Sequence, residues 1–158
     1  MRLGDLLKEG HIEVGLQAKD KEEALSKLVA LLVAQGSLKE ERRRAVLDAL
    51  LAREKIASTG MEHGIALPHA SVDGVEEALA ALGVSPRGIP FHSADGQPAR
   101  ILVLLVIPRQ AVQKHIRTLA GIARLIQYEE MRNALTSART ARQALQLIRD
   151  EEQKDAPQ

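Results

Sequence analysis

The chain has 158 residues, 45% hydrophobic and 27% charged, and its 22 basic against 21 acidic residues leave a formal net charge of +1. That length supports one domain with a real core, and the charge balance gives no basis for nucleic acid or an anionic membrane as the main partner. Cysteine is absent, which excludes disulfides, thiolate metal sites and cysteine nucleophiles and is compatible with a reducing cytosol.

In chain order, Met1 to Gly15 lacks the continuous apolar stretch of a secretory signal. Ile12 to Leu16 alternates as a short strand. Asp20 with Glu23 reads as a capping box for a first helix, whose stripe is Leu25, Leu28, Val29 and Leu32 and whose stop is Gly36. Ser37 with Glu40 predicts the cap of a second helix that buries Val46, Leu47, Leu50 and Leu51 and ends near Glu54. A loop with glycines, Ser58 to Gly64, then leads into the apolar run Ile65 to Leu67 and into Pro68-His69. Proline fixes its own φ and biases Leu67 toward extended geometry, so His69 is expected at a strand end or turn.

Strands are expected at Ala78 to Val84 and at Ile101 to Ile107, joined by a connection with Gly88, Pro90 and the turn signal Asp95-Gly96. The unbroken apolar run of the second places it at the centre of a sheet. Leu119, Ile122 and Ile126 mark a further helix, Met131 to Leu135 a short one, and Thr140 caps the last, through Ala144, Leu145 and Ile148. The order of elements predicts a single-domain layered α/β fold over residues 1–152, a mixed sheet flanked by helices, with residues 153–158 as a frayed tail. The longest apolar runs, Leu28 to Ala34 and Ile101 to Pro108, fall far short of the ~20 residues that span a bilayer, so a soluble, cytoplasmic protein without membrane insertion is expected.

One Phe, one Tyr and no Trp leave little on which a sugar or a base could stack, which points to a small polar group or another protein's surface as ligand. The segment Arg53 to His69 carries the most chemistry. Neutral imidazole is a good nucleophile near neutral pH, an arginine fork suits phosphoryl oxygens, and glycines let backbone N–H groups approach an anion. His115 lies at the N-terminal end of the Leu119, Ile122 and Ile126 stripe, where a polar residue can look into a cleft or serve only structure. His63, His92 and His115 have no ligand-pair spacing, so no metal and no other cofactor is expected. Arg42-Arg43-Arg44 among Glu40, Glu41 and Asp48 reads as a solvated helix face, and His11 and His92 as surface or loop residues. From these residues alone a His69 nucleophile near Arg53 is allowed but not required.

The string Arg53-Glu54, Ser58-Thr59-Gly60, Gly64-Ile65-Ala66-Leu67-Pro68-His69 resembles the active-site signature of the fructose/mannitol-type IIA proteins of the bacterial phosphotransferase system, which include nitrogen-regulatory IIA proteins. The likeness runs from about Leu3 to Glu152. It implies a phosphotransferase in which His69 takes a phosphoryl group from an HPr-type carrier, Arg53 and His115 attend it, and Ser58, Thr59 and Gly60 bind its oxygens. The group then passes to a IIB-type acceptor or serves as a signal to a regulatory target, and a chain without fused IIB or membrane domains leans toward the regulatory use or a separately encoded transport subunit. Glu62 stands where the family usually has glycine. If that position needs positive φ, Glu62 is strained and its carboxylate repels a donor, and the alternative is an interaction module that kept the fold and lost transfer. A metal-dependent hydrolase is a third, weaker reading.

Overall fold

The computed structural model describes residues 1–154. Its centre is the strand β5, Ala99–Pro108, in which every residue except Arg100 is buried. Alternate side chains point to opposite faces of a strand, so a run apolar at both parities has to be covered on both sides. Ile101, Val103, Leu105 and Ile107 enter one core, while Leu102, Leu104 and Val106 enter the other.

β5 pairs antiparallel with β4 (Leu79–Ile89), and β4 pairs parallel with β1 (Ile12–Val14). On its other edge β5 pairs parallel first with β2 (Ile65–Ala66) and then with β3 (His69–Val72). The sheet is therefore five-stranded and mixed, with β5 inside it as its composition predicts. Helices α2 (Lys21–Ala34) and α3 (Arg43–Ile56) cover one face through Leu25, Leu28, Leu32, Leu47 and Leu50. The short α1 (Leu3–Leu6), α4 (Val112–Ile126), α5 (Glu129–Thr136) and α6 (Ala141–Lys154) cover the other, through Leu3, Ile122, Ile126, Leu135 and Ile148 among others. Among the described residues no helix is long and apolar enough to cross a membrane.

Local signals set several boundaries. The Asp20 carboxylate accepts from the Glu23 N–H at 2.9 Å and the Thr140 hydroxyl from the Gln143 N–H at 3.1 Å, so both act as the expected N-caps. Ser37 does not cap. A 3-10 turn at Glu40–Arg42 precedes α3, and the Ser37 hydroxyl lies 2.7 Å from Nε2 of His11 instead. His11 is accordingly a buried residue, 2% exposed, and not a surface one. β4 also runs five residues past its expected end at Val84, to Ile89. Its pairing shifts register between Val84 and Ile89, which is how the strand accommodates Pro86 and a Gly88 at φ 82°. Helix α6 continues through Lys154, two residues into the stretch expected to fray, and residues 155–158 of that tail lie outside the described residues.

The two ends of the chain meet. The Glu152 carboxylate accepts from the N–H groups of Leu3 and Gly4 at 2.9 and 2.8 Å, capping α1 from across the molecule. Burial raises the pKa of this carboxyl, with the two amides pulling the other way.

Candidate functional site

Pro68 has no N–H to give, and the ladder along β5 breaks between β2 and β3 at Leu67-Pro68. The Pro68 carbonyl still accepts from the Leu105 N–H at 2.9 Å, and by strand alternation Leu67 faces away from β5. Its N–H donates to the carbonyl of Thr59 at 3.2 Å, and its own carbonyl lies 2.7 Å from Nδ1 of His69, the first residue of β3. A carbonyl can only accept, so the proton sits on Nδ1 and the lone pair is on Nε2. The ring is half-buried, and Nε2 is the nitrogen left available for chemistry.

His69 and Arg53 line the same groove. Arg53 lies in the last turn of α3, and its Nη1 donates to the Ala57 carbonyl just past the helix end at 2.8 Å. One donor of five is used there, and the others remain for an anion. Apart from Ser71, next but one to His69 on β3, the remaining walls are apolar: Ala49, Ala52 and Ile56 from α3, Ala70 from β3, Ile107 from β5, and Val112, Ile116 and Leu119 from α4. Ile56, Ile116 and Val112 are 82, 53 and 39% exposed, an unusual cost for isoleucine and valine beside a half-buried histidine.

His115 does not line this groove. It projects from the inner face of α4, 2% exposed, with Nδ1 3.1 Å from the Thr118 hydroxyl. Burial lowers its pKa, with Lys114 and the chain's amino terminus adding to the effect, so the ring is neutral at neutral pH. A neutral ring donates from one nitrogen only, and Nε2 can be that nitrogen only where the Thr118 hydroxyl donates to Nδ1. The loop expected to bind phosphate also has internal partners. The Thr59 N–H donates to Glu54 Oε1 at 3.0 Å and the Gly60 N–H to the Ser58 hydroxyl at 3.0 Å, while Ser58 in turn donates to the Phe91 carbonyl at 2.6 Å. In this conformation those amides hold the loop and face no open groove.

A family model for the phosphoenolpyruvate-dependent sugar phosphotransferase system, EIIA 2, matches residues 5–151. The chain belongs to this family. It is 33% identical over 141 residues to a nitrogen regulatory protein of Bradyrhizobium diazoefficiens, with 89% of this chain and 90% of that one covered. It is 32% identical over 148 residues to the fructose-specific EIIABC component of Bacillus subtilis, covering 94% of this chain but only 23% of that much longer protein. Among solved structures, the nitrogen regulatory protein IIA-Ntr of Neisseria meningitidis superimposes with a TM-score of 0.84 at 27% identity, over 92% of this chain and 98% of that one. Relatives named for nitrogen regulation and for sugar transport thus share the EIIA fold seen here.

Three residues of this EIIA site escaped the sequence. Glu54 is buried to 7% exposure, and besides the Thr59 N–H its carboxylate accepts from the Thr59 hydroxyl and from Lys21 Nζ at 2.9 Å. Lys21, the first residue of α2, also reaches the Ser58 hydroxyl at 3.3 Å and sits 4.7 Å from the centre of the Phe91 ring. Thr118 is the third. A Glu in second place of a signature and a Lys at a helix start look like ordinary surface charges until the partner, 33 residues away in the chain, is known.

The EIIA loop also corrects the expectation for Glu62. The residues with positive φ are His63, at 65°, and Gly64, at 76°; Glu62 is not among them. Any backbone strain therefore falls on His63, whose N–H is held by the Asp95 carboxylate at 3.0 Å. That bond and one from the Gln97 N–H keep Asp95 below the usual carboxylate range. Glu62 is exposed, 3.8 Å from Nε2 of His63, and does not line the groove of His69.

Two buried histidines set a pH dependence. Burial, seconded by Lys8, lowers the pKa of His11, and burial lowers that of His115, both from an ordinary value of 6.5. A depressed native pKa means the unfolded chain binds the proton more tightly. Their contribution is thus complete above about 6.5 and is lost as pH falls through the native values. Glu152, with a raised pKa, acts in the opposite sense on the acid side of the same window. Urea unfolding is expected to show stability falling from pH 7.5 to 5.5, with a shallower fall in His11→Gln. An equal slope in that variant would remove His11 from the account.

Proposed function

We propose that this EIIA accepts a phosphoryl group on Nε2 of His69 from the phosphohistidine of an HPr-type carrier and passes it to a IIB-type protein or holds it as a regulatory signal. The observation that carries the reading is the Leu67 carbonyl on Nδ1, because it leaves Nε2 with its lone pair toward a groove that contains an arginine. In the transfer, Nε2 attacks phosphorus as the donor's N–P bond breaks and the bonding pair returns to the donor imidazole. The new phosphorylated ring keeps its Nδ1–H, and its positive charge is stabilised by the Leu67 carbonyl. The transition state is loose, so the protein's task is positioning and charge stabilisation.

Arg53 is the residue best placed to meet the equatorial oxygens, with the donors it does not spend on Ala57. His115, buried outside the groove, joins it as a donor only where its ring is brought to the groove with Thr118 donating to Nδ1. Ser58, Thr59 and Gly60 contribute by holding the loop, and their amides bind oxygens directly only where those internal bonds open. The exposed isoleucines around His69 suit a protein face as the phosphoryl source better than a free sugar. The alternative of a module that lost transfer rested on strain at Glu62 and on repulsion of a donor by its carboxylate; the φ values remove the strain, and the carboxylate, which is exposed and does not line the groove of His69, is the part of that reading the transfer assay tests.

The test is incubation with phosphoenolpyruvate and the general carrier proteins, followed by mass spectrometry under alkaline conditions that preserve phosphohistidine. One added phosphate on the peptide that contains His69 is the expected result. An unmodified chain, or phosphate on another residue, would overturn the proposal.

A further inference from the structure

We infer that Glu54 is a positioning residue for the nucleophile, acting with Lys21 and Thr59 through a continuous line of hydrogen bonds that fixes the tautomer and orientation of His69. The inference rests on His69 being the phosphoryl acceptor and adds how the ring is held.

The line begins at Lys21 on α2, whose ammonium meets Glu54 at 2.9 Å. The Glu54 carboxylate takes both donors of Thr59, its N–H at 3.0 Å and its hydroxyl. The Thr59 carbonyl, thereby fixed in direction, accepts from the Leu67 N–H at 3.2 Å, and the Leu67 carbonyl accepts from Nδ1 of His69 at 2.7 Å. A bridge between Gly60 and Ala66 and a bond from the Met61 N–H to the Ile65 carbonyl at 2.7 Å keep the two segments side by side. The successive bonds lie on different peptide units, so the coupling is mechanical and does not run through one polarised chain of amides.

Its physical sense follows from where Leu67 stands. Residues of even number bond β5 here, the Pro68 carbonyl accepting from the Leu105 N–H at 2.9 Å, so Leu67 faces away from β5 and that strand does not orient the carbonyl that selects the His69 tautomer. The loop at Thr59 does, held at Thr59 by the buried Glu54 carboxylate and one residue earlier by the bond from the Ser58 hydroxyl to the Phe91 carbonyl. Glu54 is on the same helix as Arg53, so one rigid element sets both the arginine that meets the phosphoryl group and the anchor for the histidine that takes it. Outer partners of this kind, which aim a functional histidine without touching its substrate, commonly matter about 10–100-fold where they orient metal-bound imidazoles.

The experiment reads the ring directly. Imidazole 15N NMR of the unphosphorylated protein is expected to show one Nδ1–H tautomer for His69 in the parent chain and in Thr59→Ser, which keeps the hydroxyl. Mixed tautomers are expected in Glu54→Gln and Thr59→Val, with phosphate uptake slowed about tenfold in each. Ser37→Ala, which removes the half-buried hydroxyl partner of His11 outside this line, serves as the control for general loosening and is expected to keep the parent tautomer and rate. A single Nδ1–H tautomer in both Glu54→Gln and Thr59→Val would overturn the inference whatever the rates do. Thr59→Val alone decides the matter if Glu54→Gln does not fold. The spectrum needs no phosphoryl donor, so failure of His69 to take up phosphate would count against the proposed function without touching this result.

Discussion

Replacing His69 with alanine is expected to abolish phosphate uptake from phosphoenolpyruvate and the carrier proteins while leaving the fold in place. The ring is half-buried at the first position of a short strand, outside both hydrophobic cores, and its hydrogen bond is the single one to the Leu67 carbonyl. The stability change should therefore stay within about 1 kcal/mol. The chemical loss is of another order, because Nε2 is the atom that forms the new bond; loss of a covalent nucleophile acts on the scale of about 10^6 in rate. Neither Arg53, already cationic, nor His115, inside α4, offers a second nucleophile in the groove. Radiolabel transfer on the variant, with circular dichroism to confirm folding, settles the matter. Labelled alanine variant would sink the assignment of His69.

The second large effect belongs to stability. Glu54→Ala strips the partner from Lys21, whose side chain is only 15% exposed, and leaves the Thr59 N–H and hydroxyl without their acceptor. Breaking a buried pair from one side costs about 3–5 kcal/mol, most of it the penalty on the charge left behind. Removing both charges at once, as in Lys21→Met with Glu54→Leu, is expected to recover much of that loss, since two apolar side chains can fill the space without an orphaned ion. Urea titration of the two variants gives the comparison. A Glu54→Ala protein as stable as the parent, or a double variant less stable than the single one, would show that the pair does not anchor the loop.

How much of this was available beforehand depends on how local each signal is. The unbroken apolar run of β5 announced a strand buried on both faces, and Asp20 and Thr140 announced helix starts, because the partner in each case lies within three residues or follows from side-chain period. Ser37 carried the same local signal and misled, since a buried imidazole from residue 11 claimed its hydroxyl. The four-residue α1 had no period to read, and its cap comes from residue 152. His69 and Arg53 emerged from the order of the motif, and the structure does set them on one groove. The loop glycine and hydroxyls were read as an open cradle, yet their bonds close on Glu54 and Phe91, and nothing in the spacing tells an N–H aimed outward from one already engaged. Glycine at the family's usual position suggested strain at Glu62, whereas the turn places its left-handed residue one step later.

The contact between Glu152 and the amides of Leu3 and Gly4 has a bearing on the order in which the molecule is completed. Synthesis delivers Gly4 148 residues before Glu152, so over that interval α1 has neither its anchor nor helix α6 to pack against. This corner of the fold closes only once Glu152 is made, and a nascent chain arrested before residue 152 should expose residues 3–6 to proteases that the finished fold resists.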